Sequence, residues 1–162
     1  MLKKYYFQDF LWKIACNGLY KRELALKVVF PKGLCFEDNY SAGMYLFFSK
    51  RVMMIKDILY YYRINLSGIS KSSNKRLLDI AFVTKNLFED LQKENYNDKH
   101  FLNRLANKFA IEVFHFIRLG KNKSFKIIQI DKSFYCWLCE HLNYRRRCLL
   151  FFYIIKHGLK VV

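Results

Sequence analysis

From Leu77 onward the apolar residues recur at helical spacing. Leu77, Ile80, Ala81 and Thr84, then Leu87, Phe88 and Leu91, fall on one stripe, and Phe101 to Leu119 carries a second. A third runs from Phe134 to Ile155, broken near Asn143, and Gly120 and Asn122 separate it from the second. The earlier part is mixed. Leu2 to Ile14 reads as a helix, with Tyr6, Phe10 and Ile14 on one line, until Asn17-Gly18 breaks it. Lys21 to Val29 reads as a short helix with Leu24 and Val28 on one face, and Phe30-Pro31-Lys32-Gly33 as a turn. The next helix is expected to start near Glu37 or Asp38, since an acid there accepts from free backbone N–H groups and suits the helix dipole. Arg51 to Arg63, β-branched and aromatic, reads as two short strands, and Asn65 to Asn74 as a polar, Ser-rich loop. The shift near residue 75 divides a mixed α/β part, 1–75, from a helical part, 76–162.

Composition narrows the class. A chain of 162 residues can bury a core, and with 53% hydrophobic and 19% aromatic residues it is too apolar for a disordered tail. Its 29 Lys+Arg against 13 Asp+Glu give a net charge of +16, which attracts polyanions: nucleic acid, an acidic membrane surface or phosphorylated ligands. Five cysteines, an odd number without a scaffold pattern, and the absence of a signal-peptide pattern after Met1 imply a reducing, cytoplasmic context. The longest apolar run, Cys148 to Ile155, is far short of the ~20 residues a spanning helix needs.

Four landmarks in the first 75 residues give a sharper reading. They are Asn17-Gly18-Leu19-Tyr20-Lys21-Arg22-Glu23-Leu24; Phe30-Pro31-Lys32-Gly33 followed by Phe36-Glu37-Asp38; Ile58-Leu59-Tyr60-Tyr61-Tyr62-Arg63; and Asn65 with Ser67, Ile69 and Ser70. In this order they resemble the C-terminal half of a bacterial family 2 glycosyltransferase catalytic domain, of GT-A type. Gly18 stands where that family usually has Lys. The resemblance implies an α/β fold, the acceptor side of a GT-A domain over 1–75 followed by a mostly helical region over 76–162. It implies transfer of a sugar from a nucleotide-sugar donor to a polysaccharide or lipid-linked acceptor, in building a surface polysaccharide or lipopolysaccharide. The family's N-terminal half, with the Asp-x-Asp motif that holds Mn²⁺ or Mg²⁺, has no counterpart here. The expectation is therefore a truncated product or a split enzyme with a separate N-terminal half, inactive by itself.

By that resemblance Asp38 is the base that takes the acceptor proton, and Glu37 shapes the site or contacts the acceptor. The plainer alternative is that both cap the next helix. Arg63, Ser67 and Ser70 would hold the leaving diphosphate on a loop that Gly68 frees to move; the alternative is a solvated surface loop. At least one of Tyr60, Tyr61 and Tyr62 is expected in the core, because strand residues alternate faces.

Cys136-x-x-Cys139, with His141 and Cys148 nearby, lies in an apolar helical stretch with no second ligand pair, so buried free thiols are expected rather than zinc. Arg145-Arg146-Arg147 followed by the apolar run suits a helix lying on an anionic membrane surface, peripheral on its inner face, or an ordinary core helix. The competing class is a small basic helical protein that binds nucleic acid or a membrane surface. No helix-turn-helix, zinc-finger or RNP-like signature supports a specific nucleic-acid partner.

Overall fold

The computed structural model describes residues 1–7, 14–65, 78–118 and 130–157. They form two compact units, Met1–Glu94 and Asn95–Val162.

The first unit is organised around one buried helix. Its elements are α1 (Leu2–Tyr5), a 3₁₀ turn at Ala15–Asn17, α2 (Arg22–Lys27), α3 (Glu37–Phe48) and α4 (Asp79–Lys93). The chain turns at Tyr6–Phe7 and is extended at Ile14, so the helix expected over Leu2 to Ile14 is helical at Leu2–Tyr5, and residues 8–13 lie outside the described set. Helix α3 packs against α1, the 3₁₀ turn, α2 and, most extensively, α4. Consequently Asn39 to Leu46 are all buried, and the helix has no solvent face for a polar stripe to occupy. Small residues allow this: a Cβ on Gly43 would lie 2.7 and 2.8 Å from the two terminal methyls of Leu87 and 3.2 Å from the Tyr6 ring. The buried hydroxyls stay within their own helices, Ser41 Oγ donating to Glu37 O and Thr84 Oγ1 to Ile80 O. Tyr40 Oη crosses to Asp90 Oδ2 at 2.6 Å. On α4 the stripe Ala81, Thr84, Leu87, Phe88 and Leu91 is the buried face.

The second unit holds α5 (Lys99–Arg118), α6 (Lys132–His141) and α7 (Tyr144–His157). Each helix start is capped by an acid or amide three residues before the N–H it satisfies: Asp98 to Phe101, Asp131 to Phe134 and Asn143 to Arg146, at 2.8 to 3.0 Å. Phe101, Leu105, Phe109, Val113 and Phe116 of α5 are buried, and α5 packs on α6 with the Phe109 and Phe134 rings edge to face at 5.0 Å. Arg147 closes the other end of α6, its Nε donating to Leu142 O at 2.8 Å.

Two expectations are corrected. The α/β, GT-A fold is not what forms: the chain is mostly helical, with 64% helix, 1% strand and no sheet among the described residues. The two strands expected over Arg51 to Arg63 do not form: the segment carries neither helix nor strand and bends at Asp57. Strand propensity is a preference for a pleated surface between neighbours, and among the described residues no backbone bond joins this segment to another. For the same reason Tyr60, Tyr61 and Tyr62 are all exposed, where at least one was expected in a core. The thiols are the second correction. Of the five cysteines only Cys35 is buried; Cys16, in the 3₁₀ turn, is exposed, as are Cys136 and Cys148, and Cys139 is half-buried, because the α6 and α7 faces that carry these three differ from those of the buried Phe134, Leu138 and Leu150.

Candidate functional site

The Glu37-Asp38 pair sits where a strained turn meets the buried helix. Gly33 takes φ 81°, in the left-handed region that glycine tolerates, and Phe36 takes φ 64°, which a bulky side chain seldom adopts. The turn is pinned on both sides. Asp79 Oδ2 of α4 accepts from Cys35 N at 2.9 Å, and Phe36 O accepts from Asn39 N at 3.0 Å and Asn39 Nδ2 at 3.3 Å. Such strain costs on the order of 1–3 kcal/mol and persists only where neighbours over-determine it.

Phe36, not an acid, occupies the N-cap position of α3, with no side-chain cap bond. Glu37 and Asp38 fill the first turn, both half-buried. Asp38 is held above the ordinary carboxylate range, first by burial and then by the Glu37 charge beside it. Hydrogen bonds from the Asn39 amide and from backbone N–H groups pull the other way. Asp38 is thus a first-turn carboxyl, not the cap of α3, and it is the raised one.

The charge of this carboxyl acts on two tyrosines, Tyr6 and Tyr20. Tyr6 is fully buried, and burial together with the Asp38 charge pushes its hydroxyl well above the ordinary tyrosine range. Tyr20 is raised by burial, then by Tyr45, Cys16 and Asp38. Its ring lies 4.3 Å from that of Tyr45, tilted by 30°, and Phe30 meets Tyr45 edge-on at 6.4 Å. Gly18 makes the arrangement possible: a Cβ there would lie 2.7 Å from Tyr20 Oη and 2.8 Å from its Cζ. Gly18 thus leaves room for Tyr20 to fold back toward Tyr45 of α3.

The other residues named from the sequence are not gathered here. Arg63 is exposed and, among the described residues, makes no ion pair with Glu37 or Asp38. Its segment comes near this cluster at Tyr60, whose hydroxyl is raised chiefly by the neighbouring Cys16 thiol, and Cys16 also raises Tyr20. Ser67 and Ser70 lie outside the described residues. Tyr20 and Tyr45 were missed as site residues, although Tyr20 belongs to the first landmark and Tyr45 follows Asp38 by two helical turns, on the same face.

Among the described residues no group of three or more His, Cys, Asp or Glu could hold a metal ion. The divalent metal that the resemblance implies therefore finds no ligand set in them. His141 is engaged within α6, its ring 5.4 Å from Trp137 and its Nδ1 3.0 Å from Trp137 O. No helix of the described residues is long and apolar enough to cross a membrane. Comparison with protein-family models, curated proteins and solved structures found no match.

Proposed function

We propose that this chain supplies the acceptor side of a glycosyl-transfer site, with Asp38 as the proton acceptor. The observation that supports this reading is a half-buried carboxyl, raised by burial and by Glu37, whose charge acts on Tyr6 and Tyr20. In the reaction an acceptor hydroxyl oxygen bonds to the anomeric carbon of the donor sugar. The bond from that carbon to the diphosphate oxygen breaks, its electron pair leaves with the diphosphate, and the hydroxyl proton passes to Asp38. A raised carboxyl is the better proton acceptor as long as it remains ionised. The half-buried Tyr20 ring suits the apolar face of a sugar, and Glu37 offers an acceptor to a second hydroxyl. Arg63, with Ser67 and Ser70, would meet the charge on the leaving diphosphate. Nucleotide binding is assigned to a separate polypeptide, and no step is routed through a metal.

The test supplies that partner half in trans and follows release of nucleoside diphosphate. Asp38→Asn should slow release by ~10²–10⁴-fold, the usual worth of a general base, while saccharide binding persists. Release at the unsubstituted rate would remove Asp38 from the reaction.

A second reading has support of its own: α7 lies against an anionic membrane surface. Tyr144, Arg145 and Arg147 are exposed in its first turn, and Leu149, Phe151 and Phe152 are exposed within the next two turns. Cations beside apolar side chains on one short helix suit the boundary between headgroups and acyl chains. Binding to anionic vesicles but not to neutral ones is its test.

A further inference from the structure

Helix α6 buries Phe134, Trp137 and Leu138 on one side and carries two thiols on the other, Cys136 exposed and Cys139 half-buried. Residues three apart on a helix share a face, with Cβ atoms about 5–6 Å apart. The half-buried Tyr135 adjoins both: after burial, the Cys139 thiol and then the Cys136 thiol push its hydroxyl up. The pair is thus gathered on one face and open to solvent.

Separation decides what the pair can take. A disulfide needs Cβ atoms about 3.5–4.5 Å apart, so closing one here would strain α6. An ion bonded to both sulfurs, at about 2.3 Å each on the zinc scale, reaches across about 4.6 Å and leaves the helix wound. The number of donors then picks the ion. Among the described residues no third His, Cys, Asp or Glu joins the pair. Zinc would find half of its four ligands. A soft, closed-shell monovalent ion is satisfied by two thiolates, and thiolates select Cu(I).

We infer that Cys136 and Cys139 form a two-thiolate site for a soft monovalent cation, Cu(I). Each thiol releases its proton to solvent as its sulfur bonds the ion, and no electron changes hands. The complex carries a single net negative charge, which a chain of net charge +16 accommodates. Cys16 and Cys148 are also exposed, but neither has a second cysteine three or four positions away.

Anaerobic titration of the whole chain with Cu(I), in competition with the chromophoric chelator bicinchoninate, tests this. The chain should withdraw one ion. Cys136→Ser and Cys139→Ser should each weaken binding by roughly 10²-fold, because the second sulfur binds intramolecularly. Cys16→Ser and Cys148→Ser should leave it unchanged. Cys136 is exposed, so its replacement leaves the core untouched. Bound Cu(I) should also shield Cys136 and Cys139 together from iodoacetamide, while Cys16 and Cys148 still react and far-ultraviolet dichroism stays constant. No ion withdrawn from the chelator would overturn the inference. So would an equal loss on Cys148→Ser, shielding of one member of the pair alone, or helix content that falls as the ion binds.

Discussion

Tyr40 and Asp90, fifty residues apart, are joined by a 2.6 Å hydrogen bond from the phenol to the carboxylate, and this bond ties α3 to α4. Burial and the bond to Asp90 hold the Tyr40 hydroxyl well above the ordinary value of 10.0. Tyr40→Phe should cost about 1–3 kcal/mol, the usual worth of a bond to a charged group. Asp90 keeps Lys93 at 2.7 Å, which sets the loss toward the lower end. Because the folded value is raised, the stabilisation is fully present below pH 10.0 and is lost as pH rises through the folded value. Urea titrations of the two proteins should therefore converge above pH 10.

Gly43 and Leu87 leave no room for a methyl group. Gly43→Ala gains about 1 kcal/mol of helix propensity but drives a methyl to 2.7 Å from a fully buried Leu87. Overpacking of this kind costs about 1–3 kcal/mol, so the net effect is a loss. Leu87→Ala in the same background should recover part of it, which a double-mutant cycle in urea would measure.

Asp38→Asn should raise stability at neutral pH. The folded carboxyl is raised, so ionising it opposes folding, and the opposition grows as pH climbs from the ordinary value of 3.8 through the folded one. The amide still accepts from Asn39 Nδ2. The substituted protein should therefore melt higher at pH 7, and the difference should vanish below pH 3.8, where both states are protonated. Equal melting temperatures at neutral pH would show that the backbone bonds to Asp38 outweigh its burial.

On α7, Arg145→Gln is the clean probe, because Arg146 is bonded to Asn107 and Arg147 to Leu142 O. Co-sedimentation with vesicles containing phosphatidylserine should weaken by about 1 kcal/mol for the charge removed. Phe151→Ser with Phe152→Ser should weaken it further. Equal binding to neutral phosphatidylcholine vesicles would end the membrane reading.

The helices from α4 onward could be read from the chain because their burial is one-sided. Ala81, Leu87 and Leu91, or Phe101, Leu105 and Phe109, repeat at the period of the face they bury, and Asp98, Asp131 and Asn143 announce the starts. Helix α3 could be placed by its acids but not by periodicity, since a helix packed on every side leaves no alternation to detect. Residues 51–63 misled for a different reason. Their β-branched and aromatic content states what the segment would do beside another strand, and a single sequence does not say whether that strand is present. The contact of Tyr20 with Tyr45 depends on Gly18, where the informative feature is a missing side chain, which motif comparison scores as a mismatch.

The bond between Cys35 N and Asp79 Oδ2 spans 44 positions, and with Tyr40 to Asp90 it makes the first unit late to assemble. Helix α3 packs most extensively on α4, distant in the chain, so much of its burial waits until that long loop has closed. Loop closure is an entropic cost met before any contact repays it. In the second unit the capped helices start locally, and α5 meets α6 over a shorter span, Phe109 on Phe134. During synthesis and refolding, α3, with Tyr40, Met44, Tyr45 and Leu46, is then apolar chain awaiting α4. Its protection in pulse-labelling should rise together with that of α4, and after that of α5.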